Sequence, residues 1–165
     1  MKYKVHRGFL KCWKAVEDRV IDKVVEKGAN GAYKWDHITV IGYSHGGALA
    51  ALCHEAVWFH RPDLREKGLL GIGFGAPRIY GARKVKKELV ERWENFYVIR
   101  NGRDIVTHVP PLAFGFTHVG NIVKLETDVG CVMAHTPWEV EKSLLVNAAV
   151  LDRVFEGKGH ARFLS

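Results

Sequence analysis

The stretch Thr39-Val40-Ile41-Gly42-Tyr43-Ser44-His45-Gly46-Gly47-Ala48-Leu49-Ala50 constrains the fold more than any other part of the chain. The run from Ile38 to Ile41 is β-branched and bounded by glycine, which suits a buried, central parallel strand. From Ala48 the residues become small, apolar helix formers and continue through His54 and Trp58. Between the two lies Gly-x-Ser-x-Gly. A sharp strand-to-helix turn crowds the backbone around Ser44, so Gly42 and Gly46 are read as leaving room for it. Such a turn holds the serine hydroxyl exposed above the sheet edge. The helix N-terminus follows at once, and its free N–H groups, beginning with that of His45, point at any negative charge that develops there.

A serine is a weak nucleophile at its free pKa, so its chemistry needs a base and an acid behind that base. Histidine suits the base, because it titrates near neutral pH. A carboxylate then fixes the imidazole tautomer. In chains built on this elbow the partners follow in the order serine, acid, histidine, in loops at strand C-terminal ends. Asp104 follows the expected strand Asn95 to Arg100 after a short Asn-Gly turn, and Asp128 is the later alternative. His108, His118 and His135 are the candidate bases. His108 is only four residues past Asp104 and has little chain with which to fold back. His135 lies in a loop before the closing helix, where a late segment can return to the serine, and spacing places it ahead of His118.

The rest of the chain supplies the layers. Tyr3 to Val5 is expected as a short strand and His6-Arg7-Gly8-Phe9 as a turn. Phe9, Trp13, Val16, Val20 and Val24 recur at helical spacing, predicting one long amphipathic helix from Phe9 to Lys27, ended by Gly28. The helix after Ser44 should stop near Phe59, because Pro62 cannot continue the hydrogen-bond ladder. Residues 69–74 predict a second buried strand, and Val85 to Trp93 a charged helix. Asn121 to Glu126 reads as a last strand, and Trp138 to Phe155 as the closing helix. Pro110-Pro111 and Phe114-Gly115-Phe116 form an irregular stretch, and Gly157 to Ser165 a frayed tail. Strands alternating with helices predict an α/β fold, a mostly parallel sheet flanked by helices.

At 165 residues the chain is expected to form a single domain, residues 1–165. The net charge of +7 comes from basic residues scattered over helix faces, and no nucleic-acid motif accompanies them. The pattern reads as a solvated face, with peripheral contact to anionic lipid and no nucleic-acid partner expected. Three cysteines have no metal-type spacing, and Cys12 and Cys53 fall in apolar helical patterns, as small core residues do. No metal or cofactor is expected. The N-terminal MKYKVHRGFL has no apolar signal region and no run approaches the ~20 residues that span a bilayer, so a cytoplasmic location is expected.

Four ordered blocks carry a family resemblance: Val5-His6-Arg7-Gly8-Phe9, residues 42–50, Phe74-Gly75-Ala76-Pro77-Arg78, and Asn101-Gly102-Arg103-Asp104-Ile105-Val106 with Val109-Pro110-Pro111. Together they resemble the fungal-type (class 3) lipases, which are α/β-hydrolases. The resemblance implies a reduced α/β-hydrolase fold and carboxylic ester hydrolysis through an acyl-enzyme. Ser44 would be the nucleophile, Asp104 the acid and His135 the base, and the His45 N–H an oxyanion donor. Phe116-Thr117-His118 resembles a non-catalytic block that precedes the family's final histidine. Family members carry further strands before the Val-His-x-Gly-Phe block, with a loop that gives a second oxyanion N–H and a lid helix after it. Here a backbone group near His6 or Arg7 is expected to substitute, with an open, esterase-like site. Small ester or lipid substrates are implied. A homo-oligomer covering the exposed sheet edge, an inactive lipase-derived module, and an acyltransferase or thioesterase using the same serine are the alternatives.

Overall fold

The computed structural model of the protein describes residues 4–81 and 90–156. Two short helices come first, α1 (Arg7–Lys14) and α2 (Glu17–Val24), followed by strand β1 (Ile38–Tyr43) and the long helix α3 (His45–His60). Then come β2 (Leu69–Phe74), the two-residue β3 (Tyr80–Gly81) and β4 (Phe96–Asn101). The chain continues through β5 (Phe116–Thr117) and β6 (Asn121–Leu125) to α4 (Pro137–Val146) and α5 (Ala148–Glu156). Strands β1, β2, β4 and β6 form a parallel sheet in that order, and β3 pairs with β5 in a small antiparallel one.

Strand parity assigns the two faces of the parallel sheet. Phe96 and Val98 of β4 pack with Ala48, Ala51 and Leu52 of α3 and with Trp13 of α1. Leu70, Ile72, Tyr97, Ile99, Val123 and Leu125 point the other way, against Phe155 and Leu144 of the closing helices. The α3 face needs small residues. A Cβ on Gly71 would meet the Phe96 ring at 2.2 Å and His54 Nδ1 at 2.6 Å. Buried side chains approach the strand closely at this position, which lets α3 lie directly on the sheet.

The parallel α/β architecture agrees with the sequence, while several details differ. Among the described residues β1 is an edge strand, not a central one. Ile38 and Val40 pack beneath α3 with Val57 and Leu69, but Ile41 on the opposite face is 63% exposed. A β-branched run shows that a face is buried without showing that both are. The single helix expected over residues 9–27 is two, because Val16 leaves the helical region (φ −124°, ψ −12°). The break sends Trp13 to one core cluster and Val24 to another. The expected turn at His6–Phe9 is the start of α1, with His6 as its N-cap.

The closing helix also divides, at Asn147. That side chain donates to the Ser143 carbonyl (2.8 Å) and the Glu126 carbonyl (3.2 Å), and accepts from the Glu126 N–H (3.2 Å). It ties the helix pair to the end of β6. Cys12 is exposed rather than in the core, whereas Cys53 packs against it, and burial pushes its thiol up to about 11. Val5 makes an isolated antiparallel bridge with Tyr80. Most of the helix expected over Val85 to Trp93, the tail from Gly157, and Tyr3 lie outside the described residues.

One buried histidine, His54, and one half-buried histidine, His118, should make the fold sensitive to acid. Burial pushes the His54 imidazole down to about 3. Burial, then the nearby Arg100 and Arg78 charges, pushes His118 down to about 4. Both folded values lie below the ordinary 6.5, so the unfolded chain binds more protons in the interval between. Their contribution is fully present above pH 6.5 and is lost as the pH falls through the folded values. Urea unfolding should show stability falling by roughly 1–3 kcal/mol per pH unit below 6.5. His54→Leu should flatten that slope, and a flat wild-type profile between pH 6.5 and 4 would refute it.

Candidate active site

Parallel strands deliver their following loops to one edge, and three such loops build the site. Ser44 follows β1, Gly75 follows β2, and Asp104 lies three residues past β4. Ser44 sits at φ 53°, ψ −119°, and is the non-glycine residue with positive φ among those described. The strain of this conformation is borne by fixed surroundings. The Ser44 N–H donates to the Phe74 carbonyl (2.8 Å), and the Ser44 carbonyl accepts from the Gly47 N–H (3.0 Å). A Cβ on Gly42 would lie 2.0 Å from the Gly46 carbonyl oxygen, and one on Gly47 would lie 2.8 Å from the Ala76 Cβ. A Cβ on Gly46 would meet nothing within 4 Å. The crowding thus requires Gly42 and Gly47, not the expected pair Gly42 and Gly46.

His135 ends a 3-10 turn, Met133–His135, in the segment that returns after β6. Its Nε2 is 2.9 Å from Ser44 Oγ, and its Nδ1 is 2.9 Å from Asp104 Oδ2. Asp104 is fully buried, and its Oδ1 accepts from the Val106 N–H at 2.9 Å. A buried carboxylate with one oxygen already bonded has its other oxygen fixed in direction. That oxygen selects the tautomer with the proton on Nδ1, leaving Nε2 free to accept from the serine.

The segment carrying His135 is anchored from several sides. Asn101 Nδ2 donates to the Ala134 carbonyl (3.0 Å), and the Ile105 N–H to the Cys131 carbonyl (3.2 Å). The Tyr43 hydroxyl donates to the carbonyl of His135 itself.

The other candidates are placed elsewhere. His108 Nδ1 is 2.8 Å from the Asp104 main-chain carbonyl and its Nε2 is 2.7 Å from Arg100 Nη2. Since the guanidinium can only donate, Nε2 accepts and Nδ1 carries the proton. His118 Nε2 is 2.9 Å from the Thr107 carbonyl, in the support beneath the Asp104 loop. Asp128 is exposed on the surface. Thr107 adds to that support, its hydroxyl donating to the Asp104 carbonyl at 2.7 Å.

Two contributors were not singled out in the sequence. Tyr43 is an unspecified position of the Gly-x-Ser-x-Gly motif. Gly75, at φ 56°, packs where a Cβ would stand 2.8 Å from Asp104 Oδ2 and 3.0 Å from the His135 ring. The signal for Gly75 was a glycine immediately after a strand that enters the site. For Tyr43 the period-two pattern of β1 places it on the face opposite α3.

The oxyanion region is partly visible. The N–H of His45, at the first position of α3, precedes the first intrahelical bond and has no helical partner. The His6 N–H donates to the Ile79 carbonyl at 2.8 Å, so of the sources expected near His6 or Arg7 this one is committed. The N-terminal segment is nevertheless adjacent, with the Phe9 and His45 ring centroids 5.0 Å apart. No group of three metal-ligating side chains occurs among the described residues.

A strained serine between a parallel strand and a helix, bonded to a histidine and a buried aspartate from later loops, is the arrangement of the α/β-hydrolase fold. The sequence matches the family described as lipase (class 3) over residues 1–114, and the chain belongs to that family. It is similar to a lipase of Rhizomucor miehei, 33% identical over 117 residues, and to one of Rhizopus niveus, 36% identical over 118. Each alignment covers 71% of this chain but only 31% and 29% of those relatives, so the chain spans about a third of their length.

Among solved structures, it resembles a triacylglycerol lipase whose catalytic centre is a serine-protease triad. The TM-score is 0.67 at 30% identity, covering 78% of this chain and 47% of that one. Rhizomucor miehei lipase in its propeptide complex gives a TM-score of 0.66 at 30% identity, covering 76% and 40%. The expected cytoplasmic location is overturned by relatives in Malassezia globosa and Fusarium solani that are named secreted mono- and diacylglycerol lipases.

Proposed function

We propose that the chain hydrolyses carboxylic esters, lipid esters among them, through an acyl-enzyme on Ser44. The observation that carries this reading is the hydrogen-bonded line from Ser44 Oγ through the His135 imidazole to Asp104, with 2.9 Å at each link. Ser44 attacks the acyl carbonyl while His135 Nε2 takes its proton. Asp104 holds the imidazole and stabilises the cation that forms. The His45 N–H donates to the developing oxyanion. His135 then passes its proton to the leaving alcohol, and water repeats the cycle on the acyl-enzyme. Each proton has a stated origin and destination within these side chains, so the route needs no cofactor.

Exposed apolar side chains flank the triad residues in sequence: Ile105 beside Asp104, and Met133 and Trp138 either side of His135. They favour an apolar acyl group over a charged one. The net charge of +7 adds attraction to anionic lipid, which salt screens. The commitment of the His6 N–H favours a second reading, a slow lipase-derived module with one oxyanion donor. Loss of one such donor costs roughly 10²–10³ in rate.

A p-nitrophenyl ester series on wild type and Ser44→Ala tests both readings. Wild-type turnover should exceed that of the variant by at least about 10³-fold, and more with two working oxyanion donors. Equal rates for the two proteins would remove the hydrolase reading.

A further inference from the structure

We propose that Tyr43 is a positioning residue that locks His135 at both ends of its side chain, an inference that rests on the triad reading above. Tyr43 is the last residue of β1, immediately before Ser44. Its ring lies flat against the His135 imidazole, with centroids 5.2 Å apart and planes 20° from parallel. Its hydroxyl donates to the main-chain carbonyl of the same histidine. One rigid side chain therefore touches the backbone and the ring of His135 together. The torsion between them cannot turn without breaking one contact or the other.

The need for such a lock follows from where His135 sits. It closes a single 3-10 turn rather than a long element, and its side chain keeps 20% of its exposure. Asp104 holds Nδ1, and Ser44 meets Nε2, both at the edge of the ring. Neither bond restrains the face. Gly75 approaches the Nδ1–Cε1 edge. The stacked phenol supplies the missing restraint.

It also acts electrostatically. When His135 takes the serine proton, an imidazolium forms against the negative face of an aromatic ring, an attraction absent in the neutral ground state. Consecutive residues of one strand-turn unit thus fix the same imidazole. Ser44 meets its reactive nitrogen and Tyr43 covers its face.

Tyr43→Phe and Tyr43→Leu separate the two contacts. Phe keeps the ring and removes the hydroxyl, and should lower kcat roughly 3- to 10-fold. Leu removes both and should lower kcat by about 30- to 100-fold, because a small misplacement of the base is amplified in the rate. In both variants KM should stay within about twofold, since Tyr43 acts after binding. By NMR, the His135 ring-proton signals should be displaced upfield in wild type, remain so in the Phe variant, and move downfield in the Leu variant.

Wild-type kcat in the Leu variant, a loss carried by KM, or unmoved His135 ring-proton signals would overturn the proposal. If the Leu variant does not fold, the Phe variant decides: reduced kcat with the upfield displacement retained supports the lock, and unchanged kcat removes the hydroxyl's part. A fluorophosphonate that labels serine hydrolases separates this from the underlying reading. Wild type that neither takes the label nor turns over ester refutes the triad reading, while the NMR displacement still tests the Tyr43 stack.

Discussion

Replacing Asp104 with Asn should cut kcat for ester hydrolysis by about 10⁴ while leaving KM and the folded structure nearly unchanged. The two oxygens of Asp104 have separate duties. Oδ1 accepts from the Val106 N–H, and Oδ2 meets His135 Nδ1. The Asn carbonyl can keep the first bond, because the Val106 N–H can only donate. That places the Asn NH₂ against His135 Nδ1, which must then accept. The imidazole proton moves to Nε2, the atom facing Ser44 Oγ. An Nε2–H cannot take the serine proton, so the side chains stay in place with the wrong tautomer. The same burial that fixes the direction of the Asp104 carboxylate fixes that of the amide replacing it. Steady-state kinetics with a p-nitrophenyl ester, alongside a melting curve, measures both quantities. A loss smaller than about tenfold in a folded Asp104→Asn protein would show that the carboxylate does not orient the base.

Gly42→Ala should be the most damaging small substitution to the fold, lowering stability by more than about 4 kcal/mol, or roughly 10–15 °C in Tm for a chain this size. The added Cβ would lie 2.0 Å from the Gly46 carbonyl oxygen, 2.3 Å from its carbon and 2.7 Å from the Gly47 nitrogen. All three are backbone atoms in the first turn of α3, so no rotamer change relieves the clash. The turn would have to open, moving α3 from the sheet or Ser44 from its conformation at φ 53°. Gly46→Ala is the control. Its Cβ meets nothing within 4 Å, and an alanine there should leave stability unchanged or raise it by up to about 1 kcal/mol. Thermal melts of the two variants should separate widely. Equal melting temperatures would show that the turn is more compliant than its packing indicates.

These two positions show how much of the site was legible beforehand. The motif around Ser44 located the elbow to the residue, because few sequences place glycines on both sides of a serine between a strand and a helix. It could not say which glycines were sterically required. That depends on how closely α3 approaches β1 and the loop after β2, where Ala76 crowds Gly47 rather than Gly46. Asp104 was legible as a candidate acid from its place after a strand, the family resemblance sharpened the choice, and its carboxylate does meet His135 Nδ1. His135 was a choice among three histidines, since sequence does not reveal that His108 bonds to Arg100 or that His118 is held by the Thr107 carbonyl.

The sequence by itself determined the local units: strands read from β-branched runs, and a helix N-terminus read from the residues after Ser44. Those properties rest on interactions between residues close in sequence. Tertiary structure alone decided that β1 lies at an edge of the described sheet, that the first and last helices each divide in two, and that Tyr43 stacks on a histidine ninety-two positions away. The reason is geometric. A side chain's periodicity records that it is covered, while the identity of the covering group is set only when distant segments pack.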